Sequence, residues 1–294
     1  MHVSCSGSPH ISLALMAKVG NSIFLSSAKT NAIKKRNMRN FLAAFAAGSF
    51  LLAGLSPAAL TQTPSLPAPN PQFQIPVNES LTYAVDWRVF PAGTATFHLQ
   101  EQGNNVHVVA TAASIGTVNL LFPVSDRYDS VFDRLSGCSF EYRKQIQEGR
   151  RRITGLMQLD YAHHLQKISE KNLVSGTYKE QTSPIPGCVT DLLSAIFYVG
   201  SQPLQVGHDL HFPLADGGHV VPVTVKVEAK ESVITPAETF ATIRVQPTAA
   251  AGVVKNRGNI WIWYTDDTRH IPVQVRAHLF WGTITMRLTR IDHP

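Results

Sequence analysis

LTYAVDWRVFPAGTATFHL, residues 81 to 99, decides the fold class. Leu81, Tyr83, Val85, Trp87 and Val89 alternate with Thr82, Ala84, Asp86 and Arg88. One face of the extended chain is therefore apolar and the other polar, the two-residue period of a half-buried strand. Phe90-Pro91-Ala92-Gly93 reads as a turn, after which Ala95, Phe97 and Leu99 resume the alternation and predict a hairpin.

The same period recurs along the rest of the chain. Strands are expected over 106–113, 139–147, 153–161 and 164–169, then 221–228, 240–246, 259–264, 271–280 and 283–291, with Gly or polar breaks between most of them. Asp191-Leu192-Leu193-Ser194-Ala195-Ile196-Phe197-Tyr198-Val199 departs from this pattern: its apolar residues fall at helical spacing, and Thr190 or Asp191 is placed to cap it. The expectation is a mostly β chain with one curved antiparallel sheet (barrel, half-barrel or sandwich-like) and one short helix near 190–199. So many strands curl or close to protect their edges.

What precedes the domain sets the compartment. Lys34, Lys35, Arg36 and Arg39, the apolar run 41–55 and the small residues 56–59 follow the order of a secretory signal peptide. Residues 1–37 read as a mis-assigned leader before a true start at Met38, and 38–61 as the signal peptide. Residues 62–77 form a Pro-rich linker, and a single β domain spans 78–294. The expected location is periplasmic or secreted. Residues 1–61 carry six of the 26 Lys and Arg and no acid, which leaves 20 basic against 20 acidic residues. The basic pI belongs to the leader, and nucleic acid loses its support as a partner. Past the leader only Cys138 and Cys188 remain; an even pair in an oxidising compartment is read as a disulfide, against the alternative of two buried thiols.

Several short motifs in fixed order carry a family resemblance: Leu81-Thr82-Tyr83 with Trp87 and Pro91-Ala92-Gly93-Thr94-Ala95, then Asp191-Leu192-Leu193-Ser194-Ala195 with Tyr198, Pro203-Leu204 and Gly207. Later come Thr235-Pro236-Ala237, residues 260–267 (IWIWYTDD), Arg269, Ile271-Pro272 and Gly282. Over about residues 78–290 the chain resembles the bacterial exported domain-of-unknown-function family 3108 (DUF3108). Gly200 and Glu238 depart from that pattern, where Arg and Gly are expected. The resemblance implies a Gram-negative envelope protein with a largely antiparallel β domain, and no activity, cofactor or substrate.

Chemistry must therefore be read from the residues. Ser194, one turn from Asp191, sits inside the predicted helix and not on a sharp strand-to-helix elbow, which argues against a nucleophile. Asp160 with His163 and His164, His208-Asp209 with His211, and Asp266-Asp267 with His270 offer metal-ligand types without closed spacing, and no metal or cofactor is expected. Asp266, Asp267 and Arg269 suit a polar headgroup, or a hairpin cap. Tyr83, Trp87, Phe97, Trp261, Trp263 and Trp281 are expected to face inward, and with Tyr198 on the helix they supply apolar surface. Trp87, Trp261, Trp263, Tyr198, Asp266, Asp267 and Arg269 are the candidate ligand-binding residues. The leading expectation is a periplasmic binding or carrier protein for an apolar or amphipathic envelope molecule, such as a lipid. The alternative is a structural or interaction protein assisting envelope assembly, with an envelope protein as partner; a hydrolase ranks third.

Overall fold

A computed structural model of the chain describes residues 66–249, 259–279 and 282–293. The expected leader and signal peptide, the first residues of the Pro-rich segment, and Trp281 lie outside the described residues.

Among the described residues fourteen strands form a single antiparallel sheet. They are β1 (Glu79–Trp87), β2 (Phe90–Gln102), β3 (Asn105–Ser114), β4 (Ser125–Asp133), β5 (Ser139–Glu148), β6 (Arg151–Asp160), β7 (Leu165–Asn172) and β8 (Tyr178–Pro184), then β9 (Asp209–Asp216), β10 (His219–Ile234), β11 (Thr239–Ala249), β12 (Asn259–Thr265), β13 (Pro272–Leu279) and β14 (Gly282–Asp292). Short helices α1 (Gly116–Leu121) and α2 (Ser194–Gly200) interrupt them. The spatial order runs β8 to β1 and then β14 to β9, so two meanders join through the β1–β14 pair and leave β8 and β9 as edges.

Antiparallel neighbours put alternate turns at the same end of the sheet. One end carries α1 and the turns after β1, β5, β7 and β9; the other carries α2 and the turns after β2, β4, β6, β10 and β12. The chain between the edges fills the gap. Thr190 pairs with Leu214 of β9 as a parallel bridge, Ile185 N donates to His164 O (2.9 Å), and Ser183 Oγ donates to Gly218 O (2.8 Å). The sheet thus curls around α2. Tyr83 meets Phe97 edge-on, and Phe97 meets Phe197 of α2 the same way, with ring centroids 5.5 and 5.8 Å apart, linking wall to helix.

The structure differs from the sequence reading in particular places. The first hairpin turns at Arg88, which adopts a left-handed φ of 56°, while Phe90 to Gly93 belong to β2, where Pro91 sits at a register shift opposite Asp86. β4 escapes the alternation rule because its buried row is Asp126, Tyr128, Ser130 and Phe132, mostly polar. β8 has no aliphatic residue to mark it, and β9 contains Pro213, which an edge strand tolerates. α1 was not expected, and α2 spans seven residues because Asp191 to Leu193 form the preceding turn. Residues 66–77 are no free connector. Their carbonyls accept from α2 and the turn after it: Tyr198 Oη to Pro67 O (2.9 Å) and Gln202 Nε2 to Ala68 O (3.3 Å). Leu66, Ile75 and Val77 pack on the core, and Phe73 stacks on His270 at 4.2 Å.

Cys138 and Cys188 form a disulfide that ties the β4–β5 turn to the segment leading into α2, across 50 positions. Closing such a loop in the unfolded chain is worth about 4 kcal/mol. Replacing both cysteines by serine is expected to lower unfolding free energy by about that amount, read as a shift in urea midpoint against the oxidised protein. An unchanged midpoint would remove the disulfide from the account of stability.

Candidate functional site

α2 closes one end of the curled sheet, and a buried network fixes it there. The Asp191 carboxylate accepts from Leu193 N (2.8 Å), Ser194 N (3.0 Å) and Ser130 Oγ of β4 (2.6 Å). Asp191 N donates to Ser139 Oγ of β5 (2.9 Å), whose oxygen lies 2.7 Å from Ser194 Oγ. At the far end of the helix Tyr264 Oη donates to Ile196 O (2.7 Å), and His270 Nδ1 donates to Gly200 O (2.9 Å). Every group in this set has a hydrogen-bonding task, and Ser194 is held as part of a helix cap.

On the inner side of α2 lies a cavity of about 150 Å³. Its floor is Leu193, Ala195, Ile196 and Val199, one wall is Val223, Val225, Val245, Ile262 and Met286, and the facing wall carries Phe97, Tyr128 and Tyr142. Pro247 and Ile260, half-buried, line it near the ends of β11 and β12, on the side away from α2.

The two halves of the sheet give this interior two different walls. β9 to β14 line the larger cavity with hydrocarbon, Asp216 at the end of β9 apart, whereas the inward rows of β4 to β7 carry ionisable groups. A smaller space of about 40 Å³, sharing Tyr142 and Leu192 with the first, is lined by Lys144, Gly155 and Asp216. Lys144 of β5 pairs with Glu170 of β7 at 2.7 Å, each side chain 13% exposed. The Lys144 stem passes over Gly155 of β6, where an added Cβ would come within 2.6 Å of Lys144 Cε. Nearer the α1 end, buried Glu148 pairs with Arg151 at 2.6 Å. Asp126, 3% exposed, accepts Gln147 N at 2.8 Å. Burial, with Glu148 adding to it, pushes the Asp126 carboxyl up to about 7, against the opposing effects of the Gln147 hydrogen bond and Arg151.

The residues singled out from sequence stand elsewhere. Because Ile260, Ile262 and Tyr264 line the cavity, the alternate residues Trp261 and Trp263 of β12 face outward. Trp263 Nε1 donates to Glu231 (2.6 Å) under the Arg276 guanidinium, and Trp261 meets His278. Trp87 packs against the core at the α1 end, and an added Cβ on Gly282 would lie 2.7 Å from its Nε1. Tyr198 turns toward Phe212 and Pro67. Asp266 pairs with Lys230 (2.7 Å). Asp267 accepts from Thr265 Oγ1 (2.7 Å) and Arg269 N (2.8 Å), and Arg269 pairs with Glu79. These three belong to the turn after β12, at the α2 end, away from the ionisable wall. The structure instead brings together Asp126, Tyr128, Tyr142, Lys144, Glu148, Arg151 and Glu170. In FEYRKQIQE of β5 the inner row carries Lys144 and Glu148 between and after Tyr142 and Ile146, and in a linear sequence those two charges read as solvent-facing exceptions to the alternation.

Comparison places the chain among known proteins. The model of the family described as Protein of unknown function (DUF3108) matches residues 82–289. No curated protein matches. Among solved structures, the chain is similar to a β-barrel-like protein of domain-of-unknown-function family DUF1849 from Brucella abortus (10% identity, 74% of this chain and 98% of that one, TM-score 0.47). It is also similar to a protein of YmcC-like fold from Bacteroides fragilis, described as exported (10%, 75% and 98%, TM-score 0.34). A third, from Parabacteroides distasonis and described as a lipoprotein, has 10% identity, 75% and 98% coverage and a TM-score of 0.32. At these scores the likenesses bear on no feature of the site.

The buried carboxyl makes stability depend on pH. Asp126 titrates near 7 in the folded chain and near 3.9 when unfolded, so between those values the folded state holds the extra proton. Its contribution to stability is therefore full below about pH 4 and is lost as pH rises through 7. Asp126→Asn is expected to remove roughly 2–3 kcal/mol of the stability difference between pH 5 and pH 8, measured by urea unfolding at both. Identical pH profiles for the two proteins would show that the carboxyl titrates normally.

Proposed function

The chain belongs to the DUF3108 family, a membership that brings no activity with it, and we propose from the geometry that it is an exported binding or carrier protein for an amphipathic envelope molecule. The observation that carries this reading is the two-walled interior: an apolar cavity above α2 bounded on one side by aliphatic side chains and on the other by Tyr128 and Tyr142, next to the buried Lys144–Glu170 pair. A molecule with one apolar and one polar part matches both walls at once.

Magnitudes limit what the cavity holds. A space of about 150 Å³ lined by aliphatic and aromatic groups takes about one benzene-sized ring, so it receives the end of a chain and not a whole lipid. Each buried methylene gains about 0.8 kcal/mol, whereas a micromolar Kd needs about 8 kcal/mol. Tail burial in this space falls short of that, and the difference is assigned to the head group against the ionisable wall. Export is supported by the basic cluster and apolar run of residues 34–55, and places the protein where such molecules occur.

The test is ligand recovery. Protein recovered from the periplasm without detergent is expected to carry a reproducible lipid by native mass spectrometry and organic extraction, and to bind the fluorescent probe phenylnaphthylamine. Ala195→Phe, which puts a ring into the cavity from α2, is expected to weaken the probe about tenfold or more, the loss of one buried ring. A bare protein mass together with equal probe affinity in the variant would overturn the carrier reading.

A further inference from the structure

Among the described residues, the α1 end of the sheet has a surface chemistry unlike the rest. Large apolar side chains stand exposed on three of its connections: Val89 (82%) and Phe90 (60%) at the β1–β2 turn, Leu120 (83%) and Leu121 (71%) at the tip of α1, and Leu173 (51%) and Val174 (66%) at the β7–β8 turn. Those connections belong to one continuous rim held by backbone hydrogen bonds. Ile115 N donates to Ala92 O (3.0 Å), Gly149 N to Pro123 O (2.8 Å) and Leu173 N to Arg152 O (2.8 Å). The Phe122 ring sits directly over Gly149, where an added Cβ would come within 2.9 Å of it.

Among the described residues of the same rim the outermost charges are cationic. Arg88, Arg150 and Lys171 are exposed and Arg152 half-exposed, whereas Asp126, Glu148 and Asp216 are buried and Asp86 is paired with Arg287. Glu180, set back at the third residue of β8, takes the Tyr178 hydroxyl (3.3 Å). The α2 end is the reverse. Asp209, Glu238 and Asp267 are exposed at its strand ends and turns, Glu101 and Asp266 are exposed there but paired with Arg134 and Lys230, and its exposed aliphatic residues Leu135, Val206 and Ile234 stand singly at separate connections. Apolar tips interleaved with cations on one rim match a surface that presents anionic head groups over hydrocarbon. The acidic end repels the same surface.

We infer that the α1-end rim, built on Val89–Phe90, Leu120–Leu121 and Leu173–Val174 with Arg88, Arg150, Arg152 and Lys171, is a docking face for an anionic phospholipid bilayer. The apolar tips enter the head-group layer and the cations pair with phosphates. Docking this way turns α2 from the membrane and leaves Asp126, Glu148 and Arg151 on the bilayer side of the interior. The inference rests on the rim alone; together with the carrier reading it gives a route by which a chain enters.

The experiment is vesicle flotation of the protein recovered from the periplasm of cells expressing the full chain. Phosphatidylcholine vesicles are compared with vesicles containing phosphatidylglycerol. Binding is expected to the anionic vesicles only, to weaken with added salt, and to fall about tenfold or more in Leu120→Asp/Leu121→Asp and in Arg150→Glu/Arg152→Glu. Leu135→Asp and Ile234→Asp, at the other end, are expected to bind as the parent does. Equal binding to neutral vesicles, equal loss from variants at both ends, or no binding would overturn the docking face. Ala195→Phe separates the two readings: it is expected to keep vesicle binding while losing the probe, and the rim variants to keep the probe while losing vesicles.

Discussion

Closure of the sheet is the constraint on which everything else depends. Fourteen strands in one antiparallel sheet leave two hydrogen-bonding edges, at β8 and β9, and a curl this wide leaves an interior that wall side chains alone do not fill. The segment between the edges addresses both. Residues 185–190 bridge toward β7 and β9, and the following turn and α2 enter the interior. Its pivot is Asp191, fully buried, whose carboxylate joins the first turn of the helix to Ser130 on the wall. A buried carboxylate is tolerable where several donors surround it, and here those donors come from two elements far apart in sequence. The network thereby sets both the position and the depth of the helix. The depth decides that a cavity remains above it.

The parts of the fold visible in sequence are those where burial and hydrophobicity coincide. β1, β3, β10 and β14 alternate cleanly because their inner rows are Leu, Val, Tyr, Ile and Met. α2 was legible by its spacing, and the disulfide by its even pair. β4 was invisible because three of its four inward residues are Asp, Tyr and Ser. The same cause hid the site. Lys144, Glu148 and Glu170 read as surface charge in a linear sequence, and only the register of β5, β6 and β7 shows that they share an inner face. The tryptophans failed in the opposite direction: Trp261 and Trp263 sit on a strand apolar on both faces, where a period-two rule cannot say which row is inside.

The polar inner wall is not what packing alone would select. A buried ion pair is commonly neutral or worse for stability than aliphatic side chains of the same volume. Lys144 and Glu170 moreover occupy their place only because β6 offers Gly155 beneath them, and a glycine in a strand interior weakens the strand. Two locally unfavourable choices in register, beside a cavity that aliphatic substitution would fill, are the pattern expected where function opposes stability. The opposite wall shows that the chain can build a dry aliphatic surface, since Val221, Val223, Val225 and Val227 do so without interruption. On the proposed carrier reading, the difference between the walls matches a ligand itself divided into a polar and an apolar part.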